Sequence, residues 1–156
     1  MQPSFHPNHT SNQPTAVVVD PDPISLLAIA GALHSHGYQC ICARTAAAAI
    51  KTTEMGIQDL YVWDVAADAP GVLTALESIR QHPQHQETPA ILIAESRWAG
   101  LEKKTESLPQ ATRCLFKPID PNVLLAVADQ TLWMPTLVES HRSKGSRPSR
   151  PGWVTL

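Results

Sequence analysis

Residues 15–27 read "TAVVVDPDPISLL", and the boundary inside this stretch decides the fold. Ala16 to Val19 form a short apolar, mostly β-branched run that stops at Asp20, Pro21, Asp22 and Pro23. Proline has no N–H to donate to a ladder, so the run reads as a buried strand followed by a loop. Beyond the loop, "ISLLAIAGALHSHG" (24–37) places apolar residues near helical spacing and stops at Gly37, a natural helix end. The order is therefore strand, acidic loop, helix.

The same alternation recurs outward. Strands are expected at "YQCICA" (38–43), "LYVWDV" (60–65), "PAILIAE" (89–95) and "TRCLF" (112–116). Helices are expected at "TAAAAIKTTEMG" (45–56), "PGVLTALESIRQH" (70–82), "SRWAGLEKKTESL" (96–108) and "DPNVLLAVADQTLW" (120–133). Pro70 suits a first helical turn, and Asp120 with Pro121 makes a cap and first position. Parallel strands need crossovers, and the nearly continuous apolar runs fit strands covered on both faces. The fold class expected is α/β: a five-stranded parallel sheet with helices on both faces, a three-layer sandwich.

With 156 residues, the chain holds one domain of ordinary size. Residues 1–14, polar and interrupted by Pro3, Pro7 and Pro14, read as a disordered arm; residues 15–136 form the domain; residues 137–156 read as a disordered basic tail. Net charge is −2, but Arg142, Lys144, Arg147 and Arg150 against Glu139 leave the remainder at about −5. The total excludes a general polyanion binder, and the tail is read as solvated, Trp153 included. The first residues carry neither the basic nor the apolar segment of a signal peptide, and no run approaches the roughly 20 apolar residues of a membrane span. Cys40, Cys42 and Cys114 follow no zinc spacing; Cys40 and Cys42 read as small core residues on one strand face. A cytoplasmic, reduced protein is expected. His34, His36, His82 and His85 flank helix ends, where exposed polar roles are expected.

Asp20, Asp64 and Lys117 each stand at the end of an apolar strand. In open parallel sheets, chemistry gathers at the carboxyl ends of the strands. One aspartate after a strand is usually a turn former or cap, but three titratable groups at three strand ends form a pattern.

At these residues the chain resembles the receiver domain of two-component response regulators, a flavodoxin-like fold of the CheY type, over about residues 15–135. The resemblance rests on "AVVVD", "DLYVWD", "PAILIA" and "LFKP", with 44 residues from Asp20 to Asp64 and 53 from Asp64 to Lys117. It implies a phosphorelay protein rather than an enzyme, in which Asp64 accepts a phosphoryl group from a histidine kinase's phosphohistidine. It implies Asp20 and Asp64 as Mg²⁺ ligands, with Asp22 as a further candidate, and Lys117 as the ammonium facing the phosphoryl oxygens. It also implies a cis bond before Pro118. The partners implied are a sensor histidine kinase or phosphotransfer protein and a downstream protein target. No DNA-binding or other output domain is expected in the 23 residues after Trp133.

The sequence departs from the family's pattern at several points. Pro21 stands where a second adjacent acid is usual, Ala94 where Ser or Thr usually binds the phosphoryl oxygen, and Cys114 where an aromatic often sits. Pro70 lies six residues after Asp64, and the additional Asp68 reads as a helix cap in preference to a ligand. These departures support an alternative, a pseudo-receiver that binds partners without phosphorylation. Trp98 reads equally as partly buried packing or as a partner contact. A third reading, a flavodoxin-like FMN protein, fits poorly because "DPDP" presents carboxylates where a phosphate needs N–H donors.

Overall fold

The computed structural model describes residues 13–144, with side chains as far as Trp133. Five strands, β1 (Thr15–Val19), β2 (Gln39–Ala43), β3 (Leu60–Asp64), β4 (Ala90–Ala94) and β5 (Thr112–Phe116), form one parallel sheet in the order β2-β1-β3-β4-β5. Five helices connect and follow them: α1 (Pro23–Ser35), α2 (Ala46–Lys51), α3 (Ala69–Arg80), α4 (Leu101–Glu106) and α5 (Pro121–Lys144). The expected fold class is the one observed.

The alternation of side chains along each strand builds two cores. Val17, Val19, Tyr61, Trp63, Leu92 and Ala94 face one way, against Ala49 of α2, Val72 and Leu76 of α3 and Leu101 of α4. Ala16, Val18, Leu60, Val62, Ile91 and Ile93 face the other, against Leu26, Ala30 and Leu33 of α1 and Leu124 and Ala128 of α5. Every residue of β3 and β4 is buried, which is why these strands read as unbroken apolar runs.

Several elements differ from the sequence reading. The 45–56 helix is two pieces: after Lys51 the Thr52 and Thr53 hydroxyls donate to the Ala49 and Ile50 carbonyls, and the chain tightens into a 3₁₀ turn, Thr52–Met55. The 96–108 segment is also divided, because Gly100 takes φ 103°, where a helix cannot continue, leaving a 3₁₀ turn, Ser96–Trp98, before the short α4. Helix α5 runs on to Lys144, beyond Trp133, so residues 137–144 are helical and the tail reading is corrected there. The 1–12 arm and residues 145–156, with Trp153, lie outside the described residues.

Two placements overturn expectations at single residues. Cys42 is exposed, because β2 is an edge strand whose outer positions face solvent, while Cys40 is half-buried against α1. His85 is 0 % exposed and packs edge-on against Tyr61, since the 3₁₀ turn Pro83–His85 folds under the sheet between α3 and β4. Among the described residues, no helix is long and apolar enough to cross a membrane.

Candidate functional site

The register of the sheet assembles the site. Val19 pairs with Trp63, so Asp20 and Asp64, one residue further along adjacent strands, come level at the carboxyl edge. Ala94 pairs with Phe116, and the Lys117 N–H donates to the Ala94 carbonyl at 2.9 Å, which extends β5 by one residue and brings Lys117 to the same edge. The Lys117–Pro118 peptide is cis, as expected. Lys117 Nζ donates to Asp64 Oδ2 at 2.7 Å. Asp20, Asp64 and Lys117 thus meet in one crevice, with the carboxylates 2 % and 3 % exposed and the lysine side chain 37 % exposed.

The loop "DPDP" has a separate task for each residue. Asp20 Oδ1 accepts the Asp22 N–H at 2.9 Å, closing an Asx turn around Pro21. The Pro21 carbonyl accepts two N–H groups of Arg44, at 3.0 and 3.3 Å. Asp22 is exposed and is the N-cap of α1, accepting the Ile24 N–H at 3.3 Å, and Pro23 opens the helix. Among the described residues Asp22 makes no hydrogen bond or ion pair with Asp64 or Lys117, so its visible role is the cap rather than the crevice. Asp68 is likewise a cap, its carboxylate accepting the Gly71 N–H at 2.9 Å at the start of α3.

The crevice is electrostatically unbalanced toward negative charge. Burial raises the pKa of Asp20 above 3.8, and the nearby Asp64 carboxylate pushes it further. The Ser25 side chain and the Asp22 N–H offset part of this rise, and Lys117 opposes it weakly, yet Asp20 Oδ2 is buried without a properly formed hydrogen bond. For Lys117 the hydrogen bond to Asp64 raises the pKa above 10.5 against the opposing effect of burial, and the charges of Asp64, Asp20 and Glu95 act with it. Two carboxylates against one ammonium leave the crevice one negative charge in excess.

A partnerless buried carboxylate oxygen beside a second carboxylate is a hard-oxygen donor set of the kind Mg²⁺ accepts. Mg²⁺ is commonly held by one or two protein carboxylates together with water and phosphate oxygens. Asp20 and Asp64 fit that requirement; among the described residues no group of three or more His, Cys, Asp or Glu is placed to hold a metal.

The departures at Ala94 and Cys114 lie where the strand ends and register were read. Ala94 ends β4 fully buried, with no hydroxyl to offer the crevice. Cys114 lies within β5, paired in register with Leu92, and burial raises its thiol pKa to about 11. Ser96 is exposed in the turn after β4.

Two residues near the site, Ala66 and Arg97, escape sequence reasoning, and Trp98 joins them in a role not read from it. Ala66 adopts φ 50°, and its N–H donates to Asp64 Oδ1 at 2.9 Å. The Ala66 carbonyl in turn accepts the Trp98 indole N–H at 2.9 Å and an Arg97 guanidinium N–H at 3.2 Å. No sequence signal marks Ala66, because alanine has no preference for left-handed backbone. Beside the crevice, a cleft of 310 Å³ between α1 and α5, lined by Ala28, Ala32, Ile93, Ile119 and Leu124, opens onto Asp64 and Lys117.

No family model matches the sequence, nor does any curated protein. Solved structures do match. A response regulator receiver protein from Sinorhizobium medicae WSM419 is 22 % identical with a TM-score of 0.66, the match covering 78 % of this chain and 96 % of that one. The chemotaxis protein CheY4 of Vibrio cholerae is 18 % identical with a TM-score of 0.68, covering 77 % and 99 %. The signal receiver domain of a putative Luxo repressor protein from Vibrio parahaemolyticus is 17 % identical with a TM-score of 0.69, covering 81 % and 95 %. The fold is that of CheY-like receiver domains.

Proposed function

We propose that this protein is a phosphoacceptor of two-component signalling, in which Asp64 receives a phosphoryl group from the phosphohistidine of a sensor kinase or phosphotransfer protein. The observation that carries the reading is the 2.7 Å contact between Lys117 Nζ and Asp64 Oδ2 beside a partnerless Asp20 oxygen, all at the carboxyl edge of a receiver-type sheet.

In the transfer, an Asp64 carboxylate oxygen forms a bond to phosphorus as the phosphorus–nitrogen bond breaks. The departing imidazole keeps that electron pair, and the product is an acyl phosphate. Asp64 is nearly inaccessible to water, so its oxygens are held by Ala66 and Lys117 rather than by solvent. Lys117 turns its ammonium from carboxylate to phosphoryl oxygens as negative charge builds there. Asp20 and Asp64 would hold Mg²⁺, which when bound neutralises charge on the transferring group.

Transfer from another protein needs a docking face beside the crevice. Helix α1 supplies one: Ile24 and Leu27 are 78 % and 69 % exposed, on a helix whose charged groups are confined to its ends. An apolar face of this kind at the rim of a charged crevice fits a kinase or phosphotransfer partner, and the surface signal would then pass to a protein target.

Ala94 and Cys114 favour a second reading, a phosphorylation-independent interaction module, because neither can make the hydroxyl or aromatic contact by which a receiver commonly reports phosphorylation. One experiment separates the two. Purified protein is incubated with Mg²⁺ and a small phosphodonor and followed by intact mass. The phosphoacceptor reading expects a single phosphoryl adduct that requires Mg²⁺ and is absent from Asp64→Ala; a folded protein that stays unmodified with small donors and with a panel of phosphorylated histidine phosphotransfer domains supports the second reading.

A further inference from the structure

Asp64 is oriented from two sides. One oxygen is tied to Lys117 after β5, and the other accepts the N–H of Ala66, two residues further along the chain. The second tie depends on an unusual backbone. Ala66 stands at φ 50°, the only non-glycine residue with positive φ among those described, and left-handed backbone is sterically unfavourable for a residue with a Cβ. The turn is closed by the Asp68 N–H donating to the Val65 carbonyl at 3.0 Å, and contacts from outside it add to that bond.

The carbonyl of the same residue makes those contacts. It accepts Trp98 Nε1–H at 2.9 Å and Arg97 Nη2–H at 3.2 Å, so both of its lone pairs are engaged, one of them by a cation. Trp98 itself is fixed: its ring packs against the core beneath α3 and α4, and the Arg97 guanidinium lies 5.7 Å from the ring centroid. Arg97 is held in turn by Glu95, with Nε to Oε1 at 3.0 Å. A chain of contacts therefore runs from the segment after β4 through Trp98 to Ala66 and on to Asp64.

We infer that Trp98 is a positioning residue for Asp64: its indole N–H holds the Ala66 carbonyl, which keeps the Ala66 N–H on Asp64 Oδ1. This rests on the phosphoacceptor reading only for its consequence in transfer; the positioning itself is a property of the resting protein. Ring packing alone does not account for the arrangement, because packing needs no indole nitrogen directed at a carbonyl. By the same connection, a change of charge at Asp64 reaches the Trp98 indole and so the start of α4, without a hydroxyl at position 94.

The test uses ¹⁵N-labelled full-length protein and four variants. Trp98→Phe keeps the ring and loses the donor. In it, the Ala66 amide resonance should move upfield and its exchange with solvent should rise by about tenfold, at a thermal midpoint that shows the protein still folded. Arg97→Ala, at an exposed position, cuts the second donor and should raise the same exchange rate by a smaller factor. Asp64→Asn should shift the Trp98 indole resonance, and Ala66→Gly, for which positive φ is easy, should abolish the effect of Trp98→Phe on the residue 66 amide. An Ala66 amide unchanged in folded Trp98→Phe, or an indole unmoved by Asp64→Asn, overturns the inference. If Trp98→Phe fails to fold, Arg97→Ala and Asp64→Asn decide by the same criteria. Phosphodonor labelling is measured on the same samples: where wild type is labelled, Trp98→Phe should slow labelling at least about threefold, and an equal rate overturns the link to transfer. A wild type that is never labelled counts against the proposed function alone, since the amide and indole readouts do not need the adduct.

Discussion

At the scale of the residue, Asp20 is a group whose environment disfavours its own charge. Its carboxylate is buried, one oxygen lacks a partner, and a second carboxylate lies beside it. A neutral amide of the same shape removes the unfavourable charge, so Asp20→Asn should raise the unfolding free energy at pH 7 by about 1 kcal/mol, measured as a shifted urea midpoint. The same variant should lose Mg²⁺-dependent changes in the amide spectrum. A destabilised Asp20→Asn would show that the carboxylate is already satisfied. Asp64 is different: its two oxygens are both bonded, and its removal should cost stability through the stranded Lys117 and Ala66 donors.

At the scale of the element, the starts of two helices are set by acidic side chains that border the crevice. Asp22 and Asp68 cap α1 and α3, which begin just beyond the carboxyl ends of β1 and β3. Asp68→Ala should cost about 1 kcal/mol with little effect on Mg²⁺ response, measured by denaturation and metal titration side by side; a large loss of metal response would assign Asp68 to the crevice after all. The far end of α3 is pinned by Arg80, whose buried guanidinium donates to the Thr88 carbonyl at 2.9 and 3.1 Å and to Ala111 at 3.3 Å. Burial lowers its pKa to about 10, still charged at neutral pH. Arg80→Ala leaves those carbonyls without their donor and should cost about 3 kcal/mol in chemical denaturation; a loss under about 1 kcal/mol would mean that water replaces the guanidinium.

For the whole molecule, stability against pH follows from two groups of opposite sign. His85 Nε2 accepts the Gln58 N–H at 3.3 Å, its Nδ1 is buried without a partner, and burial followed by the His82 charge lowers its pKa below 6.5. The unfolded chain then binds the extra proton first. Stability from the neutral ring is complete above pH 6.5 and is lost as pH falls from there through the folded-state value. His85→Gln should flatten this slope, and an unchanged slope in the variant would transfer the effect to another group. Asp20 works the other way, because its raised pKa makes the folded state bind a proton first. Its destabilisation is relieved as pH falls through its folded value toward 3.8. The sheet, the strand-end trio and the caps were legible in the sequence because each depends on local pattern: apolar runs, turn residues, Asp before Pro. The Trp98–Ala66 tether, the buried His85 and the division of the fourth helix at Gly100 were not. They depend on which segments the register brings together, and neither a tryptophan nor an alanine announces its distant partner.

The strand order also bears on how the molecule is made. Strands β2 and β3 flank β1, and the three are complete by Asp64, whereas β4, β5 and Lys117 belong to the last part of the sheet to be synthesised. As the chain leaves the ribosome, the two aspartates can therefore come together before the ammonium that compensates them exists. Their repulsion disfavours the early half-sheet, and the emergence of β5 completes the sheet and brings in the ammonium that offsets one of the two charges. The crevice is finished last, and the residue that finishes it is the one that restrains Asp64.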